Sequence, residues 1–400
     1  MFRIIAGFFV PFFCFAASPT FHKDVEPILE NRCQNCHRPG EAAPMPLLTF
    51  QQTRPWAKAI REALLTGKMP PWKADPHYGK FSNDLSLAPG EKETIVAWVN
   101  AGAPEGNPAD APKPRHFIEG WRIPKPDVVF EMPTDFQVPA TGVINYQYLP
   151  VATHFTEDKW VQAVEVVPGN RRVVHHAIVV VDDGTGADNE EYLAGYGPGM
   201  NVQSWPPGQA RLIKAGSTLV FQMHYQTNGK ATTDRTRIGL VFAKKPPAEQ
   251  IIAMQAAAHW LAIPPGEPNY HTSAVSVIEQ DCYLVGLRAH MHLRGKSFEF
   301  RAVYPDGQSE ILLSIPKWDF AWQPYYYLTT PKRMPKGTRI EAFAVYDNSA
   351  NNPFNPDPNK TVFWGPQTWD EMMIGWFDIA VPVKESPHSP GTKMKPGSSF

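Results

Sequence analysis

Two cysteines and a histidine near the N-terminus stand at a spacing that can hold a haem covalently. Cys33, Cys36 and His37 form the pattern C-x-x-C-H. In that pattern the two thiols add to the vinyl groups of the haem, and the adjoining imidazole becomes an axial ligand of the iron. A zinc site or a redox-active dithiol is the alternative, but the chain has no second C-x-x-C to complete a zinc site. The motif predicts one covalently bound haem c.

A haem that transfers electrons commonly takes a methionine sulfur as its second axial ligand. Two methionines, Met45 and Met69, follow the motif. Met69 precedes Pro70 and Pro71, which favour an extended loop that can lie against the haem. We therefore prefer Met69 as the ligand and keep Met45 as the alternative, while ordinary packing in a core is open to both.

Five further histidines lie in three strand-like stretches: the adjacent pair His175 and His176, the single His224, and the pair His290 and His292. Residues two apart on a strand share a face, so His290 and His292 can present both imidazoles together. Adjacent residues face oppositely on a regular strand. His175 and His176 can therefore bind one metal only if a bulge interrupts their strand or if they use different ring nitrogens.

These imidazoles, with a thioether near the C-terminus, predict a copper protein. Met372 shares its face with Ile374 and Trp376 on a strand, and Met373 faces oppositely, so only one of the two methionines is expected to be a ligand. Imidazole and thioether donors suit a copper that cycles through Cu(I), whereas structural zinc favours Cys and His. Any single histidine can equally be an ordinary core residue. His259 and His271, in the same part of the chain, are reserve ligand candidates.

The elements that must position these residues are helical before residue 103 and strand-like after 126. Apolar residues recur at helical spacing in three stretches between Phe21 and Gly102, which predicts a small all-α cytochrome c-like domain over residues 18–102. Residues 103–126 are rich in Pro, Ala and Gly and predict a linker. Seven strand-like runs then follow: Trp160–Val167, Val173–Val181, Thr218–Tyr225, Ile238–Phe242, Tyr283–His292, Phe298–Tyr304 and Arg339–Tyr346.

The strand-rich part predicts two β-sandwich domains of jelly-roll type, so the fold class is multidomain and mainly β. Lys244 to Pro247 interrupt the series of strands, which places the two domains at residues 127–246 and 247–384. Residues 385–400 are predicted to be a flexible tail.

The N-terminus has the layout of an export signal. Arg3 precedes the apolar run from Ile4 to Phe15, and small residues follow it, so we expect a signal peptide over residues 1–17. An uncleaved membrane anchor is the alternative reading of this segment. The location predicted is periplasmic or otherwise exported, with no membrane span once the signal is removed. Cys14 would leave with the signal, and Cys282 is expected to be a buried free thiol.

Composition excludes some partners. Charged residues are 19% of the chain and the formal net charge is −1. A chain without an excess of basic residues lacks the positive electrostatic potential that attracts nucleic acid, and it has no polybasic membrane anchor.

The order of these motifs resembles a known family, the copper type II ascorbate-dependent monooxygenases, which includes peptidylglycine α-hydroxylating monooxygenase and dopamine β-monooxygenase. The shared order is His-His, His-Tyr, His-x-His and Asp-Glu-Met, over roughly Asp127 to Val383. Those enzymes have two jelly-roll domains, each with one copper, facing each other across a solvent-filled cleft. The N-terminal part is similar to the c-type cytochrome modules of bacterial proteins with this architecture.

The resemblance implies a role for each matching residue. His175, His176 and His224 would hold the electron-donating copper, and His290, His292 and Met372 would hold the catalytic copper that binds oxygen.

The family also has an arginine two residues before its His-x-His that binds a substrate carboxylate, and Arg288 matches it. Trp376 stands where the peptide-amidating enzymes have a substrate-binding tyrosine, and Ile374 where they have an asparagine, so Trp376 is a substrate-pocket candidate for a different substrate.

The sequence thus leads us to expect an enzyme that hydroxylates a C–H bond of a small organic substrate with O2, using two copper ions and one haem c. An ascorbate-like reductant or another cytochrome would donate electrons, and the fused haem is a route for them. An anchoring or sensing role for the haem module is the alternative. The alternative for the whole chain is a non-enzymatic periplasmic copper-binding or electron-transfer protein.

Overall fold

The computed structural model describes residues 18–41, 43–185, 191–197, 200 and 202–383. The expected signal peptide and flexible tail lie outside the described residues. The chain separates into two compact units, one formed by residues 1–71 with 85–116 and the other by residues 72–84 with 117–400. The first unit is helical and the second is built from strands, so the chain is mainly β.

The helical unit contains four short α-helices within its described residues: α1 (Glu26–Arg32), α2 (Phe50–Thr53), α3 (Ala57–Leu65) and α4 (Glu91–Asn100). The three predicted helical stretches are confirmed by α1, α3 and α4. Thr49 caps α2 by accepting a hydrogen bond from the Gln52 N–H, and Gly102 follows α4 with φ 89°, a left-handed conformation that glycine adopts without strain.

A small core holds the helical unit together. Phe21, Leu29, Ile95 and Trp98 are each at most 1% exposed, and the indole N–H of Trp98 donates to the Pro104 carbonyl. The predicted linker is therefore anchored at its start. Toward its end, Arg122 binds the carboxylate of Glu165 in the strand-rich unit, through its backbone N–H at 2.6 Å and its guanidinium at 2.8 Å.

The strand-rich unit contains all the β-strands of the described residues. The strands of its first half are β1 (Val128–Glu131), β2 (Phe136–Val138), β3 (Gln147–Ala152), β4 (Lys159–Val167), β5 (Val174–Asp182), β6 (Glu191–Tyr196), β7 (Gln203–Ser204), β8 (Gln209–Ile213), β9 (Thr218–Tyr225), β10 (Thr232–Asp234) and β11 (Arg237–Phe242). Those of its second half are β12 (Glu249–Ala257), β13 (Ala262–Ile263), β14 (Tyr270–Val277), β15 (Cys282–His290), β16 (Gly295–Val303), β17 (Ser309–Ile315), β18 (Tyr326–Met334), β19 (Arg339–Tyr346), β20 (Val362–Phe363) and β21 (Ile374–Pro382).

All seven predicted strands are confirmed, with ends shifted by a few residues. The shift that matters for the site is in β15, which ends at His290, so His292 lies beyond the strand. His290 and His292 were expected to share a face because both were placed on the strand. That reason is wrong for His292, and its position has to be explained by the loop that follows.

One long sheet runs through both halves of the strand-rich unit. Its order is β1-β11-β4-β8-β12-β21-β15-β18, with β7 also paired to β4. The halves meet where β8 pairs in parallel with β12. Arg211 on β8 forms a 2.6 Å ion pair with Asp378 on β21, and both side chains are almost fully buried. Breaking a buried ion pair of this kind would leave an unpaired charge in the interior. The pair therefore fixes how the two halves join.

Each half has its own four-stranded sheet and its own core. The sheet β3-β9-β5-β6 belongs to the first half, and the sheet β14-β19-β16-β17 belongs to the second. Val164 of the long sheet and Phe221 of the four-stranded sheet share the first core. Leu287 and Phe300 share the second in the same way. The alternating burial of β9 and β19 is what a strand with one face on a core requires.

Residues 72–84 lie within the predicted cytochrome-like region of the sequence, but in the structure they belong to the strand-rich unit. Phe81 forms a β-bridge with Leu328 of β18, the last strand of the long sheet. Among the described residues, no helix is both long and apolar enough to cross a membrane.

Gly375 on β21 gives a test of the second core. A Cβ at this position would lie 2.6 Å from the ring of Phe300 and 3.1 Å from the Cβ of Ala342. We expect Gly375→Ala to lower the free energy of unfolding by about 1–3 kcal/mol, because the facing sheet must move to admit the methyl group. Urea unfolding measures the change. Ser309→Ala, at the exposed start of β17, should stay within about 0.5 kcal/mol of the wild type, and an equal effect of the two changes would contradict this packing.

Candidate metal centre

A bulge in β5 brings His175 and His176 together. In the pairing of β5 with β9, Val174 stands opposite Tyr225 and His176 stands opposite His224, so His175 is an extra residue without a partner in the register. An inserted residue re-aims its side chain. As a result the Nδ1 atoms of His175 and His176 lie 3.1 Å apart. A bulge that allows the two imidazoles to share a metal is present.

His224 completes a group of three imidazoles. One ligand atom from each of His175, His176 and His224 lies within 4.8 Å of the other two, and the described residues contain no other group of three His, Cys, Asp or Glu side chains this close. The Nδ1 of His224 is buried and has no hydrogen-bond partner among the described residues. A buried nitrogen lone pair without a partner is costly unless something binds it, so this donor set fits a metal ion.

His290 and His292 form a second pair at the end of β15. Their ring centroids are 5.1 Å apart. His290 Nδ1 lies 2.7 Å from the side-chain oxygen of Gln323, and His292 Nδ1 lies 3.1 Å from the Asp370 carbonyl. Because these oxygens can only accept, each Nδ1 carries the hydrogen, and each Nε2 keeps its lone pair for a metal.

The loop before β21 holds His292 and supplies the candidate thioether. Glu371 is fully buried, and its carboxylate accepts the backbone N–H of His292 at 2.8 Å and that of Arg294 at 2.6 Å. Burial raises the pKa of Glu371 to about 8, although both N–H groups stabilise its anion. Met372 follows directly and is half-buried, whereas Met373 is part of the second core. Only Met372 is therefore placed as a ligand candidate.

Both histidine groups face one pocket. His175 and His176 line it from the first half, and Arg288 and His290 line it from the second, around a partly open space of about 400 Å³ that includes solvent. Phe320 lies between the groups. Its ring stacks on His175 at 5.7 Å and meets the ring of His292 edge-on at 6.1 Å. The resemblance implied two sites across a solvent-filled cleft, but here an aromatic side chain contacts one histidine of each group.

Arg288 sits in the pocket wall between two aromatic rings. Its guanidinium carbon lies 4.9 Å from the ring centroid of Trp376 and 5.1 Å from that of Tyr192. Trp376 is also the residue opposite Arg288 in the pairing of β15 with β21. Arg288 is only 5% exposed, and its Nε and Nη1 have no hydrogen-bond partner among the described residues. A buried guanidinium with unused donors fits an anionic group of a ligand.

All five imidazoles are held neutral by their surroundings. Burial lowers the pKa of His175, His176 and His290. Burial, together with the repulsion that protonated His175 and His292 would exert, lowers the pKa of His224 to about 3, and burial lowers that of His292 to about 4. Since a neutral imidazole is the form that binds a metal, these ligands need lose no proton at neutral pH.

The haem motif follows α1 in the helical unit. The His37 N–H donates to the Cys33 carbonyl at 2.9 Å, so the motif makes one further helical turn. The two cysteines are not joined in a disulfide, and burial raises the pKa of the Cys33 thiol to about 12. His37 Nδ1 lies 3.2 Å from the Met45 carbonyl, which leaves its Nε2 available. Two thiols that are not joined to each other and an oriented imidazole fit a covalently attached haem.

The remaining predicted residues are placed as follows. Met69 is half-buried beyond the end of α3, and Met45 packs against the helical core. The reserve candidates His259 and His271 are exposed, and neither is among the residues that line the pocket. Cys282 is buried in the second core, as expected.

Several residues of the site were missed in the sequence. Tyr146 stacks on His224 with ring centroids 4.7 Å apart, and Tyr192, Phe320 and Gln323 contact the pocket residues described above. Tyr146, Phe320 and Gln323 each lie far along the chain from the histidine they contact, Tyr192 contacts Arg288, and none of the four belongs to a motif. The bulge was the one local signal available, because it is one of the two ways in which adjacent residues of a strand can bind one metal.

Comparison with known proteins adds little to this picture. No protein-family model matches the chain, and no curated protein matches it. A solved structure of the infectious bursal disease virus Gx strain matches at 7% identity and a TM-score of 0.20, covering 65% of this chain and 75% of that one. A Paenibacillus xanthan lyase matches at 11% identity and a TM-score of 0.18, covering 70% of this chain and 29% of that one. Scores this low carry no argument about fold or function.

We expect the metal-free protein to lose stability as the pH falls below about 6.5, the pKa of a histidine in an unfolded chain. The folded pKa values of His224 and His292 are about 3 and about 4. Between these values and 6.5 the unfolded chain binds more protons, so the free energy of unfolding decreases with falling pH. Thermal unfolding followed by circular dichroism at a series of pH values measures the slope.

The His224→Asn variant should show a shallower slope, because one depressed pKa is removed. The His271→Asn variant, changed at an exposed histidine, should keep the slope of the wild type. Equal slopes in all three proteins would contradict the assignment of the pH dependence to the buried imidazoles.

Proposed function

We propose that the chain is a copper-dependent monooxygenase that hydroxylates a C–H bond of a small organic substrate with O2. The observation that carries the proposal is the pocket, where two groups of neutral imidazoles and a buried arginine with unused donors face the same space. Copper would supply one-electron chemistry with O2 in such a pocket, and a haem c in the helical unit would supply electrons.

The protein's part in binding copper is to hold imidazoles with free Nε2 or Nδ1 atoms. His175, His176 and His224 would hold one ion. His290 and His292, with Met372 as the thioether, would hold the other. Gln323 and Asp370 fix the ring orientations of the second pair through Nδ1, and partners of this kind typically tune metal affinity. Nothing in the donor set contains a thiolate, which favours copper over a structural zinc.

The protein would bind its substrate through an anion-binding arginine and aromatic side chains beside it. Arg288 would pair with a carboxylate or similar anion, and the rings of Trp376 and Tyr192 hold its guanidinium in place. Phe320 contacts rings of both histidine groups, and with a substrate bound its ring would help to exclude water from the space between them. Trp376 stands where a peptide-amidating enzyme has a tyrosine, and we propose a substrate other than peptidylglycine.

The haem assignment is supported by the surroundings of His37. Cys33 and Cys36 would bind the haem and His37 would be an axial ligand. The Met45 carbonyl lies 3.2 Å from His37 Nδ1, and Met45 packs against the helical core. Met69 would supply the second sulfur ligand, with Met45 as the alternative.

The finer description of the fold belongs to this proposal too. We propose that the two halves of the strand-rich unit are jelly-roll sandwiches of the copper type II monooxygenase family, and that the helical unit is a cytochrome c-like domain. Each half has a separate core between part of the long sheet and a four-stranded sheet, which supports a sandwich description. With the export signal read in the sequence, we propose a periplasmic or otherwise exported enzyme.

Copper content tests the metal assignment. We expect about two coppers per haem in purified, copper-loaded protein after loosely bound metal is removed. The double variant His290→Ala, Met372→Ala should hold about one, because only the group of three imidazoles remains. Elemental analysis and haem absorbance measure the ratio. The exposed-site variant His271→Ala should match the wild type, and a wild-type ratio of one or zero would overturn the two-copper proposal.

Arg288 tests whether the pocket is a substrate site. We expect Arg288→Gln to raise the KM for an anionic substrate by roughly 10- to 100-fold, because a charged hydrogen bond is lost, and to leave the KM of a neutral analogue nearly unchanged. Substrate-dependent oxygen uptake measures both. Arg301→Gln is the control, since Arg301 also lies over an aromatic ring but is 39% exposed. Copper transfer to a partner without any substrate-dependent oxygen uptake would favour a copper-handling protein.

A further inference from the structure

Residues 72–84, here called the strap, join the strand-rich unit although helical-unit residues flank them on both sides in the sequence. We propose that the strap is a positioning element for the pocket. It holds residues 316–325, here called the pocket loop, so that Gln323 orients His290 and Phe320 lies between the histidine groups. The inference deepens the proposed function, on which it rests in taking His290 as a metal ligand.

The pocket loop needs external support because it has no regular structure of its own. It connects the end of β17 at Ile315 to the start of β18 at Tyr326. Ordering an irregular segment costs roughly 1–2 kcal/mol of backbone entropy for each residue. Within the loop, the Gln323 side chain donates to the Phe320 carbonyl at 2.9 Å.

The loop touches both members of the second histidine pair. Gln323 accepts from His290 Nδ1 at 2.7 Å. The indole N–H of Trp318 donates to the His292 carbonyl at 3.1 Å. A shift of the loop would therefore change the orientation of His290 and the position of Phe320 together.

The first part of the strap holds the N-terminal side of the loop. The backbone N–H of Asp75 donates to the Ser314 carbonyl at 2.8 Å, just before the loop begins. The Lys73 ammonium lies 3.5 Å from the carboxylate of Asp319, which directly precedes Phe320. Both contacts fix the chain on the approach to Phe320.

The second part of the strap holds the C-terminal side. The Asn83 side chain donates to the Tyr325 carbonyl at 2.6 Å and accepts the Tyr327 N–H at 3.1 Å. The Ser82 N–H donates to the Tyr327 carbonyl at 2.9 Å. Asn83 therefore fixes the backbone two residues after Gln323, on both sides of Tyr326.

An aromatic cluster that includes the first residue of the strap also holds it against the sheet. The ring of Tyr326 lies 4.8 Å from that of Trp72 and 5.3 Å from that of Phe81. Trp72 and Phe81 pack against the second core. Because aromatic pairs of this geometry are stabilising beyond their buried area, the strap keeps its place along β18.

The test is amide hydrogen exchange of the metal-free protein in the Asn83→Ala variant. We expect exchange in the pocket loop to rise about tenfold, since two hydrogen bonds to its flank are lost. Exchange in β16 and β19 should be unchanged. His77→Ala is the matched control, because this strap side chain is 82% exposed and its contacts with Asp75 and Tyr78 both lie within the strap. Unchanged exchange in the pocket loop of Asn83→Ala would overturn the proposal.

A copper titration separates a positioning role from general loosening. Asn83→Ala should weaken copper binding at the His290 and His292 pair about tenfold and leave the group of three imidazoles unaffected. Adding Asn83→Ala to Gln323→Ala should cause no further loss if the strap acts through Gln323. If the losses of copper affinity in the two single variants add up in the double variant, the strap does not act through Gln323.

The strap proposal and the proposed function can fail separately. If the wild type binds no copper, the copper monooxygenase proposal fails, whereas the exchange result still decides whether the strap positions the loop. If Asn83→Ala does not fold, Asn83→Asp replaces it. This variant keeps the acceptor for Tyr327 and loses the donor to Tyr325, so we expect an intermediate rise in exchange, and no rise would overturn the proposal.

Discussion

The pairing of β8 with β12 makes one sheet from two halves, and the rest of the site depends on it. Each half has a core around its own aromatic residues, Phe221 in the first and Phe300 in the second, but Ile251 and Ala380 of the second half also belong to the first core. The shared sheet therefore holds the histidines of β5 in place relative to His290 at the end of β15 and His292 just beyond it. The buried ion pair of Arg211 with Asp378 makes other alignments of the halves costly, because any shift would leave two charges unpaired in the interior.

The candidate metal centre is formed by residues whose environments depart from ordinary strand packing. His175 is an extra residue in its ladder, and His224 Nδ1 is buried without a partner among the described residues. Arg288 keeps unused donors in a wall of aromatic rings. Each feature lowers the stability of the protein by itself. His175 and Arg288 line the same pocket, and His224 lies beside His175. Local violations of packing rules that gather in one place are typical of binding sites rather than of errors in folding.

Much of the architecture could be read from the sequence because its signal is local. Strand periodicity gave β9 and β19 their bounds, and three helical stretches gave α1, α3 and α4. The possibility of a bulge followed from two adjacent candidate ligands. The pocket residues Tyr146, Phe320 and Gln323 could not be read in this way, since each acquires its role from a contact with a distant element. His292 shows the same limit, because its position depends on Glu371 and Asp370 rather than on the period of β15.

The strap gives the chain an interleaved order that a linear map of domains does not show. The path leaves the helical unit after residue 71, contributes to the strand-rich unit, returns at residue 85 and leaves again after 116. A gene fragment that begins at the linker would encode every strand and lack the residues that cover the edge of β18, and an uncovered edge strand is a template for aggregation. The two units are therefore not exchangeable modules. Recombination could join or separate them only by breaking a segment that both the fold and the pocket use.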